Sequence, residues 1–108
     1  MTVQDLADAL SLTVYHLEAP DRPVTGGYAG DLLSWVLGRA GRDCAWLTIM
    51  SNQNVAAVAL MADVACVILS EGVTPDQALL SRAREQEVNL LGSDKGTFAL
   101  AAAVHSLL

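Results

Sequence analysis

The chain has 108 residues and a formal net charge of −6, from 12 acidic and 6 basic side chains. Its length is typical of one domain, here residues 1–108, and a hydrophobic content of 53% excludes a disordered chain. Six basic residues are too few to neutralise a run of phosphates, so the composition argues against nucleic-acid binding.

Nothing in the sequence predicts export or membrane insertion. The opening MTVQDLADAL has two acids and no basic residue, whereas a signal peptide starts with basic residues. The longest apolar stretch, Val55 to Leu69, contains Asp63 and is shorter than the ~20 residues that cross a bilayer. Cys44 and Cys66 lie in apolar runs without a CxxC, which predicts buried, reduced thiols and no metal site. We expect a soluble, cytoplasmic protein.

The amino-terminal part alternates short elements with a glycine-rich segment. Thr2, with Asp5 three residues later, is typical of a helix start. Leu12 to Leu17 alternate as in a strand. Two prolines and three glycines break any long helix in Glu18–Gly30, where Val24–Ala29 could form a short strand.

From residue 31 onward, predicted helices and strands alternate. The helices are DLLSWVLGRA, NVAAVALMAD, PDQALLSRAREQE and KGTFALAAAVHSLL, and the strands are CAWLTIM, VACVILS and VNLLG. Such alternation builds right-handed crossovers, and consecutive apolar residues indicate strands covered on both faces. The predicted fold class is therefore α/β, with a mostly parallel β-sheet flanked by helices in three layers. Helix caps are expected at Asp31, at Asn52 or Asn54, at Thr74, and at Ser93 or Asp94.

Two predicted helices have almost no polar face. Val55 to Ala62 has no polar residue, and Thr97 to Leu108 offers only a threonine, a histidine and a serine. A helix that is apolar all round is buried on two sides, and a second subunit could supply one of them. We therefore expect a homodimer; tight packing of these helices within one subunit is the alternative.

The glycine-rich segment carries the first candidate ligand site. Gly26 and Gly27 let backbone amides approach an anion, Thr25 adds a hydroxyl donor, and Arg22 can contact phosphate or carboxylate. Neither a P-loop nor a GxGxxG pattern is present. The alternative is a purely architectural turn, with Arg22 paired to Asp21.

A second candidate site follows the strand CAWLTIM. Ser51, Asn52 and Asn54 stand between that strand and the next helix, and ligands of parallel sheets bind at the carboxyl ends of strands. Helix capping alone would also explain these polar residues.

Catalysis has little support in the sequence. His16 and His105 have no serine or cysteine at a triad spacing, and no GxSxG or HExxH motif occurs. We expect no enzyme activity, no cofactor and no metal. An enzyme with Cys44 or Cys66 as nucleophile is the weakest alternative.

The chain resembles the DRTGG domain family, in its stand-alone members. The resemblance rests on Asp21-Arg22 and Thr25-Gly26-Gly27, which Pro23-Val24 separates, and on GDLLSWVLGRA, AWLTIMSNQN, DVACVILSEGV and NLLGSDKGTFALA. It implies a fold similar to the N-terminal domain of the HPr kinase/phosphorylase and a regulatory or dimer-forming role beside CBS domains. It supplies no catalytic residues, and a shared fold is no evidence of kinase activity.

Together, these observations favour a non-enzymatic regulatory domain, dimeric, that senses a small anionic ligand such as an adenine nucleotide. The predicted ligand contacts are Arg22, Thr25, Gly26, Gly27, Ser51, Asn52 and Asn54. The alternative is a protein-interaction or assembly module, associated with a redox enzyme or a serine-kinase-like regulator, whose working surface is the alanine-rich helices and Trp35.

Overall fold

Five strands form one sheet in the computed structural model, which describes residues 1–108. The strand order is β1-β5-β4-β3-β2; strands β2 to β5 run parallel, and β1 is antiparallel to β5. The predicted fold class, α/β with a mostly parallel sheet, is confirmed. In chain order the elements are α1 (Val3–Ala9), β1 (Thr13–His16), β2 (Gly26–Ala29), α2 (Leu33–Arg39), β3 (Cys44–Thr48), α3 (Asn54–Ala62), β4 (Cys66–Leu69), α4 (Gln77–Glu85), β5 (Leu90–Gly92) and α5 (Thr97–Leu107).

The sheet separates two apolar cores. Every residue of β3 and β4 is buried, as their unbroken apolar runs predict. Successive side chains of a strand point to opposite faces. Cys44 and Trp46 therefore pack with α2, α3 and α4 on one side, whereas Ala45 and Leu47 pack with α1 and α5 on the other.

In two of the helices the N-cap residue itself bonds the first turn through its side chain. Thr2 and Asp5 form a capping box: the Asp5 N–H donates to Thr2 Oγ1 at 3.1 Å, and the Thr2 N–H donates to Asp5 Oδ2 at 3.0 Å. These bonds lower the pKa of Asp5, with the backbone bond from Thr2 as the largest cause. Helix α4 is capped by Asp76, which accepts from the Leu79 N–H at 2.7 Å. The predicted cap at Thr74 is wrong, because the helix begins two residues later.

One buried asparagine joins the amino-terminal segment to the sheet. Asn89 accepts hydrogen bonds from the N–H groups of Glu18 and Ala19 at 2.8 and 3.0 Å, and donates to the carbonyls of Ala19 and Ala65 at 3.1 and 3.0 Å. All four contacts are to backbone, so the chain after β1 is held against β4 by one fully bonded amide.

Strand β2 forms one edge of the sheet. Helix α5 packs over β2 and β3 on one face, and α2 lies beside α3 on the other face. The unpaired edge of β2 therefore runs along the side of the molecule where α2 and α5 are the outermost helices.

Candidate functional site

The structure places the predicted ligand residues in two groups. Gly26 and Gly27 stand opposite Cys44 and Ala45 at the start of β3, so the glycine-rich segment lies at the amino ends of the strands. Ser51, Asn52 and Asn54 follow the other end of β3 and lead into α3. At about 3.3 Å per residue, the length of β3 puts the groups roughly 20 Å apart. They do not form one site.

Arg22 joins two turns at the amino edge of the sheet. Its guanidinium lies 2.9 Å from Asp43 Oδ1 and 2.8 Å from Asp63 Oδ1, and it donates to the Asp63 carbonyl at 2.6 Å. Asp63 is the left-handed C-cap of α3 at φ 56°, so the cation also meets the negative end of that helix. Burial lowers the pKa of Arg22, but hydrogen bonds to Asp63 and Asp43 outweigh it and raise the pKa overall.

The ion pairs of Arg22 differ from the pairing with Asp21 that the sequence suggested. It is paired with Asp43 and Asp63 rather than with the adjacent Asp21, and a ligand contact would require those pairs to open. Arg42 also contacts Asp63, at 3.0 Å, so the two cations and two carboxylates form a neutral cluster. The predicted role of Arg22 in ligand binding stays a prediction.

At the carboxyl edge, the predicted group makes local turn contacts. Asn52 Oδ1 accepts from the Asn54 N–H, the first of α3, at 2.9 Å, whereas the N-cap residue Gln53 makes no side-chain bond to the helix. The Ser51 carbonyl accepts from the Asp76 N–H at 3.0 Å. Asp31 does not cap α2 as predicted. Its Oδ1 instead accepts from the Thr48 hydroxyl at 2.8 Å and from the next N–H at 3.0 Å, which ties the α2 approach to the end of β3.

A further polar contact at this edge caps α5. The Thr97 N–H donates to Glu71 Oε2 at 2.7 Å, and the Thr97 hydroxyl lies 2.6 Å from Ser70 Oγ. Neither Ser93 nor Asp94 caps this helix as predicted, because Glu71 in the β4–α4 loop accepts the hydrogen bond from its first N–H. Carboxylates occupy this edge, which makes it a poor place for an anion.

A cleft of about 250 Å³ opens between β2 and α5. Its volume is slightly below the roughly 300–1,000 Å³ of drug-sized ligand sites, enough for one ring system. Except for His105, the lining is uncharged. A Cβ built on Gly27 would lie 4.0 Å from Val104 Cγ1, so this glycine keeps the space beside α5 open. The lining residues are Gly27–Ala29, Leu47, Ala101, Val104, His105 and Leu108.

Of the predicted ligand residues, only Gly27 lines this cleft. The sequence did not predict the other residues that line the cleft, because α5 is far from β2 along the chain and the two elements meet only in the folded structure. One sequence signal for the cleft was available. Gly27 on β2 and Ala101 on α5 are both small, and together they leave room that larger residues would fill. His105, expected to pack or lie at an interface, is exposed beside this space.

The thiols of Cys44 and Cys66 are buried and unreactive at neutral pH. Burial raises the pKa of Cys44 to about 11 and that of Cys66 to about 12. A thiol with such a pKa holds almost no thiolate at neutral pH, and thiolate is the nucleophile. They also point to opposite faces of the sheet, as their places in separate cores show. No cluster of three metal-ligating side chains occurs, and no helix has the length and apolar character that crossing a bilayer needs.

Comparisons with known proteins agree with the fold. The family model of the DRTGG domain matches residues 36–107, which leaves the glycine-rich segment outside the matched region. A crystal structure of the CBS and DRTGG domains from the regulatory region of Clostridium perfringens pyrophosphatase, complexed with its activator diadenosine tetraphosphate, is similar with a TM-score of 0.77 and 12% identity. The similarity covers 95% of this chain and 45% of that one, so this chain spans less than half of its structural neighbour. No curated protein matches the sequence.

Proposed function

Because the chain belongs to the DRTGG domain family, we propose that it is a regulatory domain without catalytic activity, which senses a small anionic, nucleotide-like ligand. The observation that carries this proposal is the cleft between β2 and α5, an apolar space with exposed strand backbone on one side and a histidine on the other. The structural neighbour is a regulatory region that holds a dinucleotide activator, which supports a ligand of this class.

The base of the ligand would occupy the cleft above Gly27. An aromatic ring suits walls formed by Leu47 and Val104, which exclude water without offering charge. The phosphate would extend past Thr25 and Gly26, towards the amino ends of the strands. No Asp or Glu side chain lines the cleft, so the acidic side chains that give the chain its net charge of −6 do not face a ligand there.

The test is a thermal-melt panel followed by calorimetry on the ligands that shift the melt. AMP, ATP and diadenosine tetraphosphate are compared with adenosine and with inorganic phosphate. A ligand at 100 times its Kd adds about 2.7 kcal/mol of stability. Gly27→Val fills the cleft and should abolish the shift. Gly41→Ala is the matched control, because nothing lies within 4 Å of a Cβ at that position and Gly41 is outside the proposed site.

The outcomes separate the possible sites. A shift that Gly27→Val removes and Gly41→Ala keeps supports the cleft. A shift that survives Gly27→Val but is lost in Asn52→Ala moves the ligand to the carboxyl edge. A panel without any shift overturns ligand sensing and leaves the protein-interaction module as the function to pursue.

We also propose that the regulatory domain acts as a homodimer. Ten large apolar side chains are exposed, among them Phe98 at 90% and Trp35 at 50%. Lone exposed apolar residues are ordinary, but a continuous apolar surface on a soluble domain marks an interaction site. The molar mass in solution tests this: a dimer has twice the 11.4 kDa of one chain, and a mass of 11.4 kDa at micromolar concentration overturns it.

A further inference from the structure

The outer edge of β2 is an unprotected strand edge. Thr25 donates its N–H inwards to the Asp43 carbonyl at 3.0 Å, so the alternation along the strand turns the backbone groups of Gly26 and Tyr28 outwards. Natural edge strands are usually guarded by a charged side chain, a proline or a bulge. Strand β2, with the sequence GGYA, has none of these within its length.

Exposed apolar side chains flank this edge on both sides. Half of the ten exposed large apolar residues lie on α2 or α5 or directly beside one of these helices. On the α5 side Phe98 is 90% exposed, and on the α2 side Trp35 is 50% exposed, with the Arg39 guanidinium stacked 3.7 Å from its ring centroid. The set is Leu32, Trp35, Leu37, Phe98 and Leu108.

The charge distribution favours a second copy of this chain as the partner that covers this surface. Residues 26–37 contain one ionised side chain, Asp31, and residues 97–108 contain no Asp, Glu, Lys or Arg. The chain as a whole carries −6, so two copies approach with the least repulsion through this nearly neutral side. Asp31 and Arg39 are the two ionised side chains on this side, and their opposite charges leave it without the excess charge that a strongly charged partner would recognise.

We infer that two copies of the chain pair through the β2 edges. Antiparallel pairing about a two-fold axis near Gly27 satisfies the outward backbone groups and joins two five-stranded sheets into one. The same axis sets the two α5 helices antiparallel, so that Phe98 lies against the far end of the partner's α5. The inference rests on the homodimer proposed above and adds the location of its interface.

Two exposed aromatic side chains supply about a third of the area that a standard dimer interface needs. An aromatic side chain buries about 150–250 Å², so Phe98 and Trp35 at their present exposure offer about 250 Å². A stable interface needs about 800 Å² on each partner. The three leucines, which are 41–58% exposed, and the backbone of β2 add to this area.

The experiment measures the dimer dissociation constant by sedimentation equilibrium for wild type and three variants of the full chain. Gly26→Pro removes an outward N–H from the edge, and proline is tolerated where that group faces solvent. Phe98→Asp places a charge on the neutral side without disturbing the core. Met61→Asp is the matched control, since Met61 is 71% exposed at the far end of α3. Circular dichroism and a melt confirm that each variant folds.

The expected result is at least tenfold weaker dimerisation for Gly26→Pro and Phe98→Asp, and an unchanged dissociation constant for Met61→Asp. A monomeric wild type overturns both the homodimer and its interface. A dimeric wild type whose association is unaffected by Phe98→Asp overturns the β2 interface alone, as does selective loss of the dimer in Met61→Asp. If Gly26→Pro does not fold, Phe98→Asp decides the result.

Discussion

Replacing Arg22 by alanine removes the cation that two turns at the amino edge of the sheet share. The guanidinium bonds to Asp43, to the Asp63 carboxylate and to the Asp63 carbonyl. Hydrogen bonds to charged groups contribute about 1.5–3 kcal/mol each. The Asp63 side chain is 49% exposed, so its share is reduced by solvent screening. We expect Arg22→Ala to lower the free energy of unfolding by about 2–4 kcal/mol.

This loss is measurable by urea unfolding and by thermal melts. A domain of this size changes its Tm by about 4–8 °C per kcal/mol, so the Tm should fall by about 8–32 °C. Asp21→Ala is the control, because Asp21 is exposed and makes no ion pair, and it should change stability by less than about 0.5 kcal/mol. Arg22→Lys should recover only part of the loss, since one ammonium cannot replace the guanidinium fork.

The opposite result would refute the structural role of Arg22. One such result is a free energy of unfolding for Arg22→Ala within about 0.5 kcal/mol of the wild-type value, together with loss of the ligand-induced shift. The ion pairs would then contribute no stability, and Arg22 would bind the ligand. Higher salt supplies a second check, because screening of partly exposed pairs should lower the stability of the wild type more than that of Arg22→Ala.

Three further predictions test the fold. Asn89→Leu leaves backbone groups without their partner and should cost about 2–4 kcal/mol in urea unfolding, and an unchanged midpoint would contradict the clamp. Gly92→Ala places a Cβ 2.7 Å from the ring of Tyr15 and should cost about 1–3 kcal/mol, whereas an unaltered melt would show that the ring moves freely. The thiol pKa values of about 11 for Cys44 and about 12 for Cys66 lie above the ordinary 9.0, so their contribution to stability is complete below pH 9 and is lost as the pH rises towards 12. Unfolding measured from pH 8 to 11 should show this decline, and Cys66→Ala should flatten it; rapid iodoacetamide labelling of the native protein at pH 7.5 would disprove the burial.

Hydrophobic pattern and helix-start chemistry determined the architecture from the sequence alone. The apolar runs CAWLT and CVIL are buried on both faces, as continuous apolar runs require. The capping box at Thr2 and Asp5 depends on two residues three positions apart, so the local sequence was enough to predict it. Three predicted helix caps were wrong, because another side chain bonds the start of the helix or the predicted residue bonds elsewhere. Asp76 lies nearer to α4 than Thr74, Glu71 reaches α5 from another loop, and Asp31 bonds the end of β3.

Only the tertiary structure decided which distant residues meet. The sequence could not show that Arg22 would reach Asp43 and Asp63, because that contact depends on crossovers that return three turns to one edge of the sheet. It could not bring α5 against Gly27 either, since roughly 70 residues of chain separate them. Periodicity and capping report interactions within a few residues. Strand order sets long-range proximity, and strand order placed β2 at the edge, with its cleft on one side and its open backbone on the other.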